Sequence, residues 1–266
     1  MLDQYKRNIS YLRISVTDRC NLRCTYCMPE EGIELMHHND ILSFEDIHNI
    51  VKKAVKEGIT KVRLTGGEPL VRKNIVELVS MISSIPEITD LSMTTNGILL
   101  DKYAESLAKA GLDRVNISLD TISADKYKKI TRGGDINKVF DGIEAAKMAG
   151  LNPIKINCVI FSNENEKDAV EVAEYCKNNN LELRYIHQMN LQTGEFSIVK
   201  GGNGGDCANC NRMRLTANGE FKPCLFSDIS YKVKNENIFE ALCQAVESKP
   251  LEGSKNMSGN FYNIGG

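Results

Sequence analysis

The chain has 266 residues, of which 42% are hydrophobic and 26% charged, and its formal net charge is −2. This length allows one large α/β domain, and the small net charge excludes the overall positive field that marks many nucleic-acid-binding proteins. Residues 1–8 lack the apolar stretch of a secretory signal, and no run approaches the roughly 18 apolar residues of a membrane-spanning helix. We therefore expect a cytoplasmic protein that binds neither nucleic acid nor a membrane.

Strand-like and helix-like patterns alternate along the first two thirds of the chain. Runs of alternating apolar residues predict six strands, at 11–17, 61–65, 91–95, 114–120, 155–161 and 181–187. Apolar residues at helical spacing predict helices after Ser43 and at 75–82, 136–143 and 169–176. Strands and helices in this order favour an α/β fold with a parallel sheet.

The predicted strands are polar on one face, which is unusual for a parallel sheet buried on both faces. Basic residues fall on this face at period two: Arg13, Lys61, Arg63, Lys155 and Arg184. A curved or barrel-like sheet explains the pattern, with helices on its apolar outside and a ligand inside. Because cations that converge in an interior repel one another, the pattern implies an anionic, phosphorylated ligand. Alternatively, some of these side chains lie at strand ends and reach solvent.

The alternation of predicted strands and helices ends at Met189. Residues 190–206 contain four glycines and predict a flexible connector. Runs at 212–216 and 220–224 flank the turn at 217–219 and predict a β-hairpin. A helix at 237–246 and a tail rich in Gly, Ser and Asn complete the chain.

Six of the nine cysteines form two groups of three: Cys20, Cys24 and Cys27, and Cys207, Cys210 and Cys224. A structural zinc site requires four ligands, whereas three thiolates on a four-iron cluster leave one iron open to another ligand. The alternative for the first group is a structural iron–sulfur or zinc site completed by His37 or His38. Without export we expect all cysteines to stay reduced, and Cys158, Cys176 and Cys243 to be ordinary apolar residues.

The first cysteine group resembles the radical S-adenosylmethionine (SAM) enzymes, through Cys-x3-Cys-x2-Cys with Tyr26 before the last cysteine and Gly66-Gly67-Glu68-Pro69 after the second strand. The resemblance implies a partial (βα)6 TIM-like barrel and a [4Fe–4S] cluster on the first group. It also implies that SAM is cleaved to a 5′-deoxyadenosyl radical, which removes hydrogen from a substrate. The implied SAM contacts are Tyr26, Gly66, Gly67, Glu68, Ser118 and Met189.

Further segments, at 14–21, 26–29, 94–97, 116–120 and 265–266, resemble the molybdenum cofactor biosynthesis protein A family of GTP 3′,8-cyclases. This resemblance implies a lyase that takes hydrogen from the ribose of GTP, with no acid or base side chain in the chemistry, and a second [4Fe–4S] cluster on Cys207, Cys210 and Cys224. A reductase or a flavodoxin-type protein would be the electron donor. The implied GTP contacts are Arg13, Lys61, Arg63, Thr94, Lys155, Arg184, Arg212 and Arg214.

The resemblance also implies two parts: a radical SAM partial barrel over 1–189 and an auxiliary cluster region over 190–266. In the second part, the Gly265-Gly266 tail would fold back to the active site, although a tail without such a role is the alternative. The sequence departs from the family in its short segment between Met189 and Cys207 and in His187, which stands where the family usually has Glu. A shortened enzyme acting on another substrate, such as a peptide, and a non-catalytic iron–sulfur or zinc protein are therefore alternatives.

Overall fold

The computed structural model describes residues 1–257 and Ile264. Six strands follow one another in a parallel sheet: β1 (Tyr11–Ser15), β2 (Lys61–Thr65), β3 (Asp90–Thr95), β4 (Arg114–Ser118), β5 (Lys155–Ile160) and β6 (Glu182–His187). All six lie where the sequence predicts strands, with ends that differ by one or two residues at most.

Three more strands extend the other edge of this sheet. They are β7 (Arg212–Leu215), which pairs in parallel with β1, and β8 (Glu220–Lys222) and β9 (Tyr231–Lys232), which pair antiparallel. The strand order is β6-β5-β4-β3-β2-β1-β7-β8-β9, so the sheet does not close on itself by strand pairing. The predicted α/β class with a partial barrel is thus confirmed. The division near residue 189 stays a prediction, because the second part continues the same sheet.

Seven α-helices lie in the described part of the chain: α1 (Phe44–Lys56), α2 (Ile75–Ser83), α3 (Leu100–Lys109), α4 (Ala124–Thr131), α5 (Ile136–Met148), α6 (Lys167–Asn178) and α7 (Ile238–Glu247). The predicted N-cap of α1 is confirmed, since the Ser43 hydroxyl accepts the Asp46 amide and the Asp46 carboxylate accepts the Ser43 amide. The helices bury their apolar faces against strand residues such as Leu12 and Val62. None of the helices in the described ranges is long and apolar enough to span a membrane.

The segment after β6 is not a loose linker, contrary to the expectation of a flexible connector. The chain turns back along β6, where Tyr185 and Lys200 exchange two backbone hydrogen bonds of 3.0 and 3.2 Å. Gly201 follows with φ at +84°, and a Cβ there would lie 2.5 Å from the Leu183 carbonyl oxygen. Glycine is therefore required at this position by both backbone conformation and close packing.

We predict that Gly201→Ala detaches the connector from β6. The added methyl group meets the Leu183 oxygen, so the amide protons of Tyr185 and Lys200 should exchange with deuterium at least tenfold faster. Gly150→Ala is the matched control, because Gly150 has a similar φ of +77° but a Cβ there would meet no atom within 4 Å. Unchanged exchange at Tyr185 and Lys200 in Gly201→Ala would contradict the packing argument.

Candidate active site

The loop that carries the first cysteine group begins at the carboxyl end of β1, where the neighbouring loop after β2 supports it. The amide of Gly67 donates to the Thr17 oxygen and that of Glu68 to the Arg19 oxygen, both at 2.8 Å. A Cβ on Gly67 would lie 2.3 Å from the Arg19 oxygen. The glycine pair therefore lets the β1–β2 pairing continue as far as the residue before Cys20.

Glu68 connects this loop to the loop after β3. Its carboxylate is 1% exposed and accepts hydrogen bonds from the Leu70 amide at 3.0 Å, the Thr95 hydroxyl at 2.7 Å and the Asn96 amide at 2.7 Å. Burial raises the pKa of Glu68 to about 7, while these donors favour its charged form. Three donors of the protein itself thus bind this carboxylate. The expected contact of Glu68 with SAM stays a prediction.

Tyr26 holds the cysteine loop from the opposite side. Its hydroxyl donates to Asp120 Oδ2 at 2.8 Å, and Asp120 Oδ1 accepts the Val159 amide at 2.9 Å. The carboxyl end of α4 also contributes, because the Arg132 guanidinium donates to the carbonyl oxygens of Arg23 and Met28. The loop is therefore tied to β4, β5 and α4.

The first three thiols fit a positively charged metal centre. Burial raises the pKa of Cys24 to about 12, with the nearby Cys27 and Cys20 adding repulsion, and burial raises that of Cys27 to about 11. Three thiolates this close are stable only with a strongly cationic partner. His37 and His38 are exposed, and no group of three or more Cys, His, Asp or Glu within 1–257 is placed to hold a single metal ion.

A cavity of about 360 Å³ lies on the polar face of the sheet. Six of the eight predicted GTP contacts line it: Arg13, Lys61, Arg63, Arg184, Arg212 and Arg214. Met189 lines it as well, whereas Thr94, Lys155, Ser118 and His187 do not. Lys155 instead pairs with Glu182, and Ser118 ends β4. The alternation of the strands therefore identified four of these six basic residues, and the resemblance added Arg212 and Arg214.

Strand register places three arginines side by side across the sheet. Arg13 of β1 is the register partner of Arg63 on β2 and of Arg214 on β7. Neighbouring strands lie only about 4.8 Å apart. Burial lowers the pKa of Arg63, and burial together with Arg212 lowers that of Arg214 to about 10. Burial and mutual repulsion thus disfavour the charged forms of these arginines. An anion in the cavity would stabilise the charged forms.

Several buried polar atoms on this face have no hydrogen-bond partner in the described structure: Tyr11 Oη, Thr94 Oγ1, both side-chain polar atoms of Asn116, and Asn157 Oδ1. Buried polar groups are normally satisfied, and each exception requires a reason. Of these residues, Tyr11 and Asn157 line the cavity, where a polar ligand would supply their partners. Asn157 lies on the polar face that the strand alternation predicts, whereas Tyr11 was missed because its sequence neighbourhood reads as ordinary strand, although its period-two position places it on that face.

The second cysteine group lies at the other end of the strands. Cys207 and Cys210 precede β7, which runs parallel to β1, and Cys224 follows the antiparallel β8. All three line the cavity. Burial alone would raise the pKa of Cys210, but the cations Lys249 and Arg212 lower it below its usual value. This thiol environment also fits a metal centre.

The described part of the tail reaches the same region. Ile264 is 2% exposed and packs with Leu191, Leu225 and Phe226, and its carbonyl oxygen lies 3.5 Å from Arg214 Nη1. Gly265 and Gly266 lie outside the described residues, so their expected return to the active site stays a prediction.

Comparison with known proteins agrees with this geometry. The family model of the radical SAM superfamily matches residues 14–176. A GTP 3′,8-cyclase of Petrotoga mobilis is 39% identical over 316 residues, covering 98% of this chain and 95% of that protein. One from Alkaliphilus oremlandii is 43% identical over 298 residues, covering 94% of this chain and 93% of that protein. The first alignment exceeds the 266 residues of this chain, so that relative contains at least 50 residues without a counterpart here.

Solved structures share the fold at low sequence identity. SuiB of Streptococcus suis bound to S-adenosylmethionine has a TM-score of 0.67 at 16% identity, covering 92% of this chain and 65% of that one. Native anSMEcpe with bound AdoMet has a TM-score of 0.64 at 18% identity, covering 87% of this chain and 79% of that one. Because the family model covers more than half of the chain and the relatives nearly all of it, the chain belongs to the radical SAM superfamily and is a radical SAM enzyme, whose chemistry uses SAM and a [4Fe–4S] cluster.

Proposed function

We propose that this radical SAM enzyme is a GTP 3′,8-cyclase, the first enzyme of molybdenum cofactor biosynthesis. The observation that carries the proposal is the cavity in which a row of arginines and the second cysteine group face the same space. Relatives of about 40% identity with that name support it. The proposal includes a second [4Fe–4S] cluster on Cys207, Cys210 and Cys224, with the first on Cys20, Cys24 and Cys27.

When bound, the first cluster and SAM supply the radical that removes the hydrogen from carbon 3′ of the ribose, before that carbon bonds to carbon 8 of guanine. The residues of this chain orient the nucleotide for that step. Arg63 is the clearest phosphate ligand, because it is 7% exposed and its Nε donates to Ser92 at 3.1 Å, which fixes the direction of the guanidinium. Guanidinium groups bind phosphate oxygens in pairs, which favours a single pose.

The connector lines the side of the cavity between β6 and β7. Phe196 packs on Phe226 with ring centroids 4.6 Å apart, and both rings line the cavity. Water displaced from this side would strengthen the electrostatic attraction between arginines and phosphate and protect a radical from quenching. A basic cavity favours a phosphorylated small molecule. A peptide substrate was the alternative from the sequence, and the likeness to SuiB bound to its precursor peptide, at 17% identity, is one of fold alone.

The proposal is tested by reconstituting the protein without oxygen and supplying SAM, dithionite and GTP labelled with deuterium at carbon 3′. We expect a cyclised GTP product and deuterium in the released 5′-deoxyadenosine, both detected by mass spectrometry. If 5′-deoxyadenosine forms without deuterium and without a GTP-derived product, the enzyme acts on another substrate and the cyclase proposal is wrong.

Cys24→Ser should abolish reductive cleavage of SAM, because a cluster that loses a thiolate ligand no longer forms a stable site on this loop. We expect 5′-deoxyadenosine to fall at least 100-fold, with about half of the iron retained by the second group. Cys243→Ser is the matched control, since Cys243 lies in α7 outside both cysteine groups. Undiminished SAM cleavage in Cys24→Ser would contradict the assignment of the first cluster.

Arg63→Ala should weaken GTP binding about 10- to 100-fold, the loss expected for charge-assisted hydrogen bonds worth roughly 1.5–3 kcal/mol. The loss should be smaller for GMP and smallest for guanosine, because the proposed partner is the phosphate chain. Calorimetric titration of the anaerobic holoprotein measures the three affinities. Lys109→Ala, which removes one positive charge from exposed α3, is the control for net charge. An equal loss for guanosine would place Arg63 at the base or sugar instead.

A further inference from the structure

Lys249 is a buried lysine beside the second cysteine group, with no role yet in the proposed reaction. It is 2% exposed, and no carboxylate in the described residues forms an ion pair with it. A buried cation without a counter-ion is strongly unfavourable. The cysteines that face Lys249 are Cys210 and Cys224, which would attract it as thiolates, and the cation that faces it is Arg7.

The ammonium group of Lys249 donates two hydrogen bonds to backbone oxygens. Nζ donates to the Arg212 carbonyl oxygen at 2.8 Å and to the Pro223 carbonyl oxygen at 2.6 Å, and Lys249 lines the cavity together with Cys210 and Cys224. Arg212 begins β7, and Pro223 directly precedes Cys224. One side chain therefore joins the segments that carry the second and third cysteines of the group.

The turn that follows Lys249 reaches the remaining cysteines. Gly253 packs against this group, because a Cβ on Gly253 would lie 3.3 Å from Cys224 Sγ. Arg7 fixes this turn, because its guanidinium donates to the carbonyl oxygens of Cys207, Pro250 and Leu251. Residues 249–253 thus form a cradle around the second cysteine group, and Lys249 supplies its buried charge.

We propose that Lys249 is the positioning residue and fixed counter-charge of the metal centre on Cys207, Cys210 and Cys224, holding Cys210 in place and raising the reduction potential of that centre. This inference rests on the proposed second cluster. A four-iron cluster on three thiolates is negatively charged and gains one more negative charge on reduction. A neighbouring cation stabilises the reduced form more than the oxidised form, and burial strengthens the effect.

The test uses a full-length background in which Cys20, Cys24 and Cys27 are replaced by Ala, so that iron reports on the second group alone. Iron per chain is measured first. If this background binds no four-iron cluster, the proposed second cluster is wrong, and that result is separate from the outcome for Lys249. If it does, Lys249→Met, Lys249→Arg and Lys222→Met are compared in the same background.

Lys222 provides the matched control, because it is also buried, at 6% exposed, and lies near Cys224, but has the acidic neighbours Glu220 and Asp228. We expect Lys249→Met to weaken one-electron uptake by dithionite at least tenfold at equilibrium, a shift of about −59 mV in a dye-mediated titration followed by electron paramagnetic resonance. Lys249→Arg should restore most of the shift, and Lys222→Met should produce little of it.

The outcomes separate a charge from a packing role. Loss of iron in Lys249→Met with iron retained in Lys249→Arg supports the proposal, as does the expected shift in potential. Loss of iron in both Lys249 variants overturns it in favour of packing alone. Equal iron content and an unchanged potential in Lys249→Met overturn it as well, as does a shift of the same size in Lys222→Met.

Discussion

Positive charge held inside the sheet is the constraint on which the rest of the structure depends. Register brings Arg214, Arg13 and Arg63 into one row across β7, β1 and β2. Like charges on neighbouring strands destabilise a sheet, and the apolar faces of the strands, packed on the helices, supply the stability that offsets this cost. A fold that accepts such a row is organised around an anion. The orphaned polar atoms of Tyr11 and Asn157 on the same face indicate that this anion belongs to a larger polar ligand.

The two cysteine groups lie at opposite ends of the parallel strands. Loops at their carboxyl ends hold the first cysteine group, through Gly67, Glu68 and Tyr26, while their amino ends meet the second group. Under the proposed function, the nucleotide would therefore be held from the amino ends of the strands, opposite the loop that would hold SAM.

Strand positions and the basic face could be predicted from the sequence, because both depend on local periodicity. What could not be predicted depends on contacts between distant residues. Lys155 follows the same alternation as Arg63, yet its ammonium group forms an ion pair with Glu182 on β6. Glu68 belongs to a motif read as a ligand contact, yet three protein donors surround it. Lys249 gives no signal in the sequence, because a single lysine after a helix usually lies in solvent.

The connector (residues 190–206) forms one side of the cavity and is held there by arginines that also line the cavity. Arg184 Nε donates to the Gly201 oxygen at 3.2 Å, and Arg212 Nη1 donates to the Asn203 oxygen at 2.9 Å. Two of the arginines that line the cavity, on β6 and β7, therefore also hold the connector. A guanidinium has five donors, enough to bind a carbonyl and a phosphate together. A phosphate that binds these arginines reduces their mobility and thereby stabilises the wall, and a wall in place excludes the water that would compete for the phosphate. Under the proposed function, phosphate binding and the position of this short, glycine-rich segment would therefore be coupled through the same two side chains.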